Sequence, residues 1–282
     1  NRLNIMKVWA YATIWNEEKL LHYYIKHYST FCDMLIFCDN ESDDRSIEII
    51  ESYPNTRIVS YGTEGLFNEL LQMEIKEMAI EDARINECDY VIIGDCDEFI
   101  HHPNIKEFLL EHLDKTALFY PAGFNMASRT FPTEEGQIYD LIKTGEPNPW
   151  YSKPILLNLN LIERIKWVEG CHEVDHSYLK ISGDTYHVVP ESVRPNAPYK
   201  DHKWGNWKIM FDLLHIFEKE PLKLLHYKYL GKEYVEARNK LYRNRISDDN
   251  KIKNERIKIM KHYNDSVVEI DEILNNATHL KL

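Results

Sequence analysis

The feature that most restricts this chain is a repeated order in its first 120 residues: short apolar runs that end in polar clusters and lead into helical patterns. Lys7 to Thr13 is apolar and reads as a strand, and Leu20, Leu21, Tyr24, Ile25 and Tyr28 then recur at helical spacing. Met34 to Cys38 reads as a second strand. The polar turn Asp39-Asn40-Glu41-Ser42-Asp43-Asp44 follows, with Asp and Ser side chains suited to capping a helix that carries Ile47, Ile50 and Tyr53. Arg57 to Tyr61 reads as a third strand, Asn68 to about Ile85 as a longer helix, and Tyr90 to Gly94 as a fourth strand, met at once by Asp95. This alternation predicts a mostly parallel sheet with helices on both faces. Ligands of such sheets bind outside the carboxyl ends of the strands. Thr13 to Glu18, Asp39 to Asp44 and Asp95 to Glu98 all fall at those ends, so the pattern sets three polar clusters on one rim.

The rest of the chain is less regular. From about Gly123 to Pro198 it holds Pro147, Pro149, Pro154, Pro190, Pro195 and Pro198, a loop-rich stretch of the kind that shapes substrate sites. Beyond it the pattern reads as helical and highly charged, with Leu213, Leu214 and Phe217 on one apolar face and Tyr234, Leu241 and Tyr242 on another. The formal net charge of −12 argues against nucleic acid as a main partner. It leaves room for an anionic substrate, because a bound divalent cation inverts the local field. Cys32, Cys38, Cys88, Cys96 and Cys171 form no CxxC pair, which suits free, mostly buried thiols in a reducing compartment. No apolar run approaches membrane-spanning length. The expectation is a cytoplasmic protein or one peripheral to a membrane face, with a segment ahead of Asn1 allowed for.

Asp95-Cys96-Asp97-Glu98-Phe99 carries the strongest chemical signal. Two carboxylates one residue apart, in a turn after a buried strand, can face one pocket and hold a hard cation such as Mn²⁺ or Mg²⁺. That cation would neutralise a diphosphate leaving group. A bare DxD is common by chance; its place after Tyr90-Val91-Ile92-Ile93 is what gives it weight. Two rival chemistries fit less well. A dehalogenase-type phosphatase wants its DxD after the first strand with Thr or Val at the position of Phe99, and a polymerase-type nucleotidyltransferase wants an upstream Gly-Ser turn. Thr13-Ile14-Trp15-Asn16-Glu17-Glu18 opens a helix whose N-terminus can receive a phosphate, with plain capping by Asn16 as the simpler role. Asp39 and Asn40 can accept hydrogen bonds from a base or ribose, or merely shape the turn.

Taken in order, Thr13 to Glu18, Asp39 to Asp44 and Ile93 to Phe99 resemble the GT-A glycosyltransferases of the family 2 type, in the DxDEF form related to family 92. Lys153-Pro154-Ile155, Gly170-Cys171-His172-Glu173, and Leu225-His226-Tyr227-Lys228-Tyr229-Leu230-Gly231 with Tyr234 and Arg238 extend the resemblance over roughly residues 7 to 245. It implies an α/β GT-A (nucleotide-diphospho-sugar transferase) fold: a catalytic domain over 1–206, with a nucleotide-sugar half to about 122 and an acceptor half from 123, and a helical region over 207–282 packed on it. The donor would be a nucleotide-diphosphate sugar, commonly a UDP-sugar, and the acceptor a hydroxyl of a glycan, lipid or protein. Thr13, Asn16, Glu17, Asp39, Asn40, Gln72, Asp95, Cys96 and Asp97 would contact the donor. Asp95 and Asp97 would ligate the metal, with His226, or else His172, as a further ligand. Glu169, His172, Glu173 and Asp175 are the candidates for the base that deprotonates the acceptor. Trp150, Tyr151, Trp167, Trp204 and Trp207 could form a sugar platform, although core packing is the commoner fate of each. The alternatives are a non-catalytic glycan- or nucleotide-binding module, and a metal-dependent phosphodiester or pyrophosphate hydrolase.

Overall fold

The computed structural model describes residues 6–66, 68–167, 174–175, 178–182, 222–243, 245 and 269–282. The expected alternation is present: β1 (Val8–Ile14), α1 (Glu18–Tyr28), β2 (Met34–Asp39), α2 (Ser46–Glu51), β3 (Thr56–Ser60), α3 (Glu69–Ile85) and β4 (Tyr90–Asp95). Strands β3, β2, β1 and β4 lie side by side in parallel. The sheet is completed by β9 (Leu156–Asn158), antiparallel to β4, and β6 (Leu118–Phe119).

Strand alternation sorts side chains between two cores. Val8, Ala10, Ala12 and Ile14 of β1 and Tyr90 and Ile92 of β4 pack with Leu20, Leu21, Tyr24, Ile25 and Tyr28 of α1. Trp9, Tyr11, Val91 and Ile93 point the other way and meet Ile75, Ala79, Ile80 and Ala83 of α3, residues one turn apart on a single helical face. The fold is therefore α/β, with a central sheet covered by helices on both faces.

A second sheet fills the part of the sequence that reads as irregular. It contains β5 (Glu98–His101), β7 (Ala122–Ser128), β8 (Thr144–Pro147), β12 (Lys223–Leu230) and β13 (Thr278–His279), in the order β13-β8-β7-β12-β5. The short helices α4 (Ile105–His112) and α5 (Ile138–Leu141) lie between its strands in sequence, and β10 (Ile162–Arg164) pairs with β11 (Lys180–Ile181) apart from it. Here the structure departs from the sequence reading. Residues 223–230 lie inside a stretch expected to be helical, yet form an eight-residue strand, buried throughout, at the heart of this sheet. Helix α6 (Lys232–Arg243) follows it directly. A strand buried on both faces shows no alternation, so period 2 cannot reveal it.

The two sheets meet at the Asp95–Glu98 turn. Strand β4 of the first sheet ends at Asp95 and β5 of the second starts at Glu98, so Cys96 and Asp97 alone span the seam. Gly94 leaves room for Glu98 here: a Cβ there would lie 2.9 Å from Glu98 Oε2. Cys32, Cys38, Cys88 and Cys96 are all free thiols. Among the described residues no helix is long and apolar enough to cross a membrane.

A candidate metal centre at the seam of two sheets

The ends of β1, β2 and β4 come together through their register, Thr13 beside Asp95 and Ile14 beside Asp39. Thr13 Oγ1 donates to Asp95 Oδ1 at 2.7 Å. Burial alone would raise the Asp95 pKa, but Lys76 on α3 and Lys153 outweigh it and hold the carboxyl below its ordinary value. Asp39 is buried and accepts from the Ser42 amide at 3.2 Å, while Asn40 Oδ1 accepts from Thr63 Oγ1 at 3.0 Å. Gln72 lies half-buried in the first turn of α3, and Cys96 is packed in the core rather than on the rim.

Asn16 and Glu17 sit differently from the simple reading of a helix start. Asn16 adopts φ 55° and does not cap α1. Its Nδ2 donates to Asp43 Oδ1 at 2.6 Å and its Oδ1 accepts from the Asp43 amide at 2.9 Å, which ties the β1–α1 loop to the β2–α2 loop. The first amides of α1 are also taken: Glu17 N donates to Ser46 Oγ and Glu18 N to Asp44 Oδ2. The Glu17 and Glu18 amides are thus bonded to protein groups in this structure. Glu17 itself is buried, accepting from Arg238 Nη2 at 2.7 Å and from the Tyr242 hydroxyl at 3.1 Å.

Asp97, Glu98 and His226 form the one group of three buried ligand-type side chains among the described residues, with one ligand atom from each within 4.8 Å of the others. His226 is placed by β12, where it lies beside Glu98 on one neighbouring strand and Asn125 on the other. Its Nδ1 is 3.2 Å from Asn125 Oδ1. A ring that carries its proton on Nδ1 donates to this amide oxygen and leaves Nε2 for a cation. Nε2 lies 3.5 Å from Asp97 Oδ2. The Tyr151 ring stacks on the imidazole at 3.9 Å. That contact depends on Gly123, where a Cβ would lie only 2.4 Å from the Tyr151 main chain.

Cations balance these acids. Lys153 forms a buried ion pair with Glu98 Oε1, while Glu98 Oε2 accepts from the Asp95 amide at 3.1 Å. Burial alone would lower the Lys153 pKa, but the carboxylates of Glu98, Asp95 and Asp97 raise it above the ordinary lysine value and keep it charged. Arg238 Nη1 lies 3.1 Å from Asp97 Oδ2. Against the upward push of burial, Arg238 and then His226 hold Asp97 far below the usual carboxylate range.

The expected set of Asp95, Asp97 and His226 is therefore found in one neighbourhood, with Glu98 joining Asp97 and His226 in the tight cluster and Asp95 turned to Thr13. Glu169, His172 and Glu173 lie outside the described residues, as do Trp204 and Trp207. Asp175 is described; its main chain closes a turn with Lys166, Tyr178 and Leu179, beside Trp167 and Val174 of the α3-side core. Trp167 is core, whereas Trp150 is 46% exposed next to Tyr151. Lys153 has a signal only in the Lys153-Pro154-Ile155 stretch of the resemblance, and the contacts of Lys76, Asn125 and Tyr242 with this site have no signature in the sequence: a lone Lys, Asn or Tyr becomes informative only when the fold brings it to the acids.

No family model matches the chain, and no curated protein matches it. Among solved structures it is similar to glucosyl-3-phosphoglycerate synthase from Mycobacterium tuberculosis, in complex with Mn²⁺, UDP and glucosyl-3-phosphoglycerate. The identity is 21% over 43% of this chain and 44% of that one, with a TM-score of 0.29. The chain thus spans less than half the length of that synthase. It is also similar to 4-diphosphocytidyl-2C-methyl-D-erythritol synthase from Anaerococcus prevotii, at 17% identity over 55% of this chain and 72% of that one, with a TM-score of 0.32. These are partial likenesses, and the functional reading rests on the geometry of the site.

Proposed function

We propose that this chain is a metal-dependent glycosyltransferase of GT-A type, moving a sugar from a nucleotide-diphosphate donor, of which a UDP-sugar is the first choice, to an acceptor hydroxyl. The observation that carries the reading is the buried Asp97–Glu98–His226 group at the carboxyl ends of a parallel sheet. Two carboxylates and one imidazole are a donor set suited to Mn²⁺, and Mg²⁺ is the alternative. The Asn125 oxygen beside His226 Nδ1 supports that use, because a ring donating there presents Nε2 to a cation.

In this reading Asp97 and His226 hold the cation, with Glu98 locked beside them by Lys153. When bound, the cation supplies Lewis-acid neutralisation of the diphosphate leaving group. Asp95, oriented by Thr13, is assigned to a metal-bound water or the ribose. Asp39 and Asn40, at the end of the neighbouring strand, are assigned to the nucleoside. The acceptor base is sought among Glu169, His172, Glu173 and Asp175, and the exposed Trp150 is assigned to the acceptor side.

Calorimetric titration of UDP with and without Mn²⁺, on the wild type and Asp97→Asn, tests the reading. UDP binding should depend on Mn²⁺ and weaken at least a hundredfold in the variant. Equal, metal-independent binding in both proteins would overturn the metal-bridged donor. Release of UDP from a panel of UDP-sugars, only when an acceptor is present, then separates a transferase from a binding module and from a hydrolase.

A further inference from the structure

Arg238 competes for the atom that the cation needs. Asp97 Oδ2 is the oxygen nearest His226 Nε2, and it is also the oxygen that Arg238 Nη1 approaches at 3.1 Å. The guanidinium has a second anchor, because its Nη2 lies 2.7 Å from Glu17 Oε1 on the β1–α1 loop. The Tyr242 hydroxyl, one helical turn further along α6, donates to the same Glu17 oxygen. Arg238 can therefore leave Asp97 and still keep a buried carboxylate partner. Two buried donor groups here lack an acceptor among the described residues, Arg238 Nε and the Tyr234 hydroxyl. Burial makes an unpaired donor costly, so this corner of the site is left short of acceptors. The charge balance points the same way. Among the described residues Glu17, Asp95, Asp97 and Glu98 are faced by Lys76, Lys153, Lys228 and Arg238, so the acids are already largely answered before a divalent cation arrives.

We infer that Arg238 is the resident counter-ion of Asp97, and that it makes the site selective for a cation arriving with a diphosphate over the free cation. This inference rests on the donor-binding reading above. A free cation must displace Arg238 from Asp97 Oδ2 and adds positive charge to a nearly balanced site. A cation accompanied by a diphosphate brings acceptor oxygens for the released guanidinium and negative charge to offset its own.

The probe is Mn²⁺, followed by the paramagnetic resonance signal of the free ion, with and without UDP, on the wild type, Arg238→Met and Glu17→Gln. Circular dichroism confirms that each variant is folded. The wild type should bind Mn²⁺ alone weakly and at least tenfold more tightly with UDP. Arg238→Met should bind Mn²⁺ alone about tenfold more tightly than the wild type, and the enhancement by UDP should shrink by a similar factor. Among the described residues Glu17→Gln leaves Asp97 as the only carboxylate partner of Arg238, so Mn²⁺ alone should bind several-fold more weakly. The two variants thus shift in opposite directions, which general damage to the site would not produce. Unchanged or weaker Mn²⁺ binding in a folded Arg238→Met overturns the inference; if that variant does not fold, unchanged or tighter binding in Glu17→Gln does so. Absence of UDP-dependent Mn²⁺ binding in the wild type would defeat the donor-binding reading itself, a separate result.

Discussion

The acids of this site and the groups that answer them come from different stretches of chain and are held in different ways. Glu17, Asp39, Asp95, Asp97 and Glu98 all belong to the first hundred residues and sit at strand ends or in the turns that follow them. Lys76 on α3 apart, the groups that answer them come later: Asn125 and His226 from the second sheet, Lys153 from the segment ahead of β9, and Arg238 and Tyr242 from α6, reaching the acids across as many as 225 positions. The acid side is braced locally, by loop-to-loop bonds such as Asn16 to Asp43. The answering side is braced by burial in a sheet of distant strands. What this teaches is a dependence: a rim of buried carboxylates is affordable only because the later chain folds over it, since a buried charge without its partner is strongly unfavourable.

The largest effect should follow from breaking that dependence at Lys153. Lys153→Met leaves Glu98, only 1% exposed, without its cation. Loss of one partner of a buried pair typically costs about 3–5 kcal/mol, measurable by denaturant unfolding. Adding Glu98→Gln to the same protein should recover much of that loss. If the single variant unfolds like the wild type, the acid rim stands without the second half and the comparison fails.

A smaller effect concerns pH, at the place where α1 meets β5. His27 is buried on α1 and His101 on β5, and both pack against Tyr139. Burial lowers His27 to about 3, despite its bond to the Ile100 carbonyl, and lowers His101 to about 4, with Lys223 and His102 adding to the effect. Both rings are neutral in the folded protein and take up protons more readily when unfolded. Their contribution is therefore intact above about pH 6.5 and lost as pH falls towards the folded values. Between pH 6.5 and 5.5 the pair should account for about 2 kcal/mol of lost stability. A His27→Gln, His101→Gln protein should show a flatter stability profile over that window, and an unchanged slope would remove these histidines from the account.

How much of this was legible follows from the same contrast. The four parallel strands, α1, α3 and the rim of Thr13, Asp39 and Asp95 follow from local pattern, since strand, turn and helix each leave a periodic trace within about twenty residues. The second sheet leaves no such trace. Strand β13 is two residues long, β5 and β8 are four, and β12 is buried on every residue. His226 was reachable through the resemblance of its surrounding motif, but its pairing with Asp97 follows from the register of β12 with β5, which no spacing reveals. Asn16 and Glu17 illustrate the converse. Their position suggested a ligand-facing helix start; the bonds of Asn16 to Asp43 and of Glu17 to Arg238 are tertiary contacts that the local pattern does not reveal.

On the answering side, Asn125 offers a sharper probe. Asn125→Ala removes the acceptor that fixes His226 Nδ1, so the imidazole is free to change tautomer and tilt. Mn²⁺ affinity in the presence of UDP should fall roughly tenfold, and the nitrogen resonances of the His226 ring should report a mixed tautomer. Asn125→Asp keeps an acceptor and should keep the tautomer. Wild-type Mn²⁺ affinity in the Ala variant would show that the ring is held by Tyr151 stacking alone.

The smallest expected effect lies on the acid side, at Asn16. Two contributions are separable there: backbone conformation and the side-chain bridge. At φ 55° an Asn is tolerated and a Gly is unstrained, whereas an Ala is strained. Asn16→Gly therefore loses only the bonds to Asp43 and Asp44, and Asn16→Ala loses those bonds and adds strain. Exposed bonds of this kind contribute little, so Gly should cost up to about 1 kcal/mol and Ala about 1 kcal/mol more. Because the brace is local, neither change should alter Mn²⁺ or UDP binding by more than about twofold. Weaker UDP binding at unchanged stability would instead return Asn16 to the donor contacts and show that the two loops exchange their mutual bonds for bonds to the nucleotide.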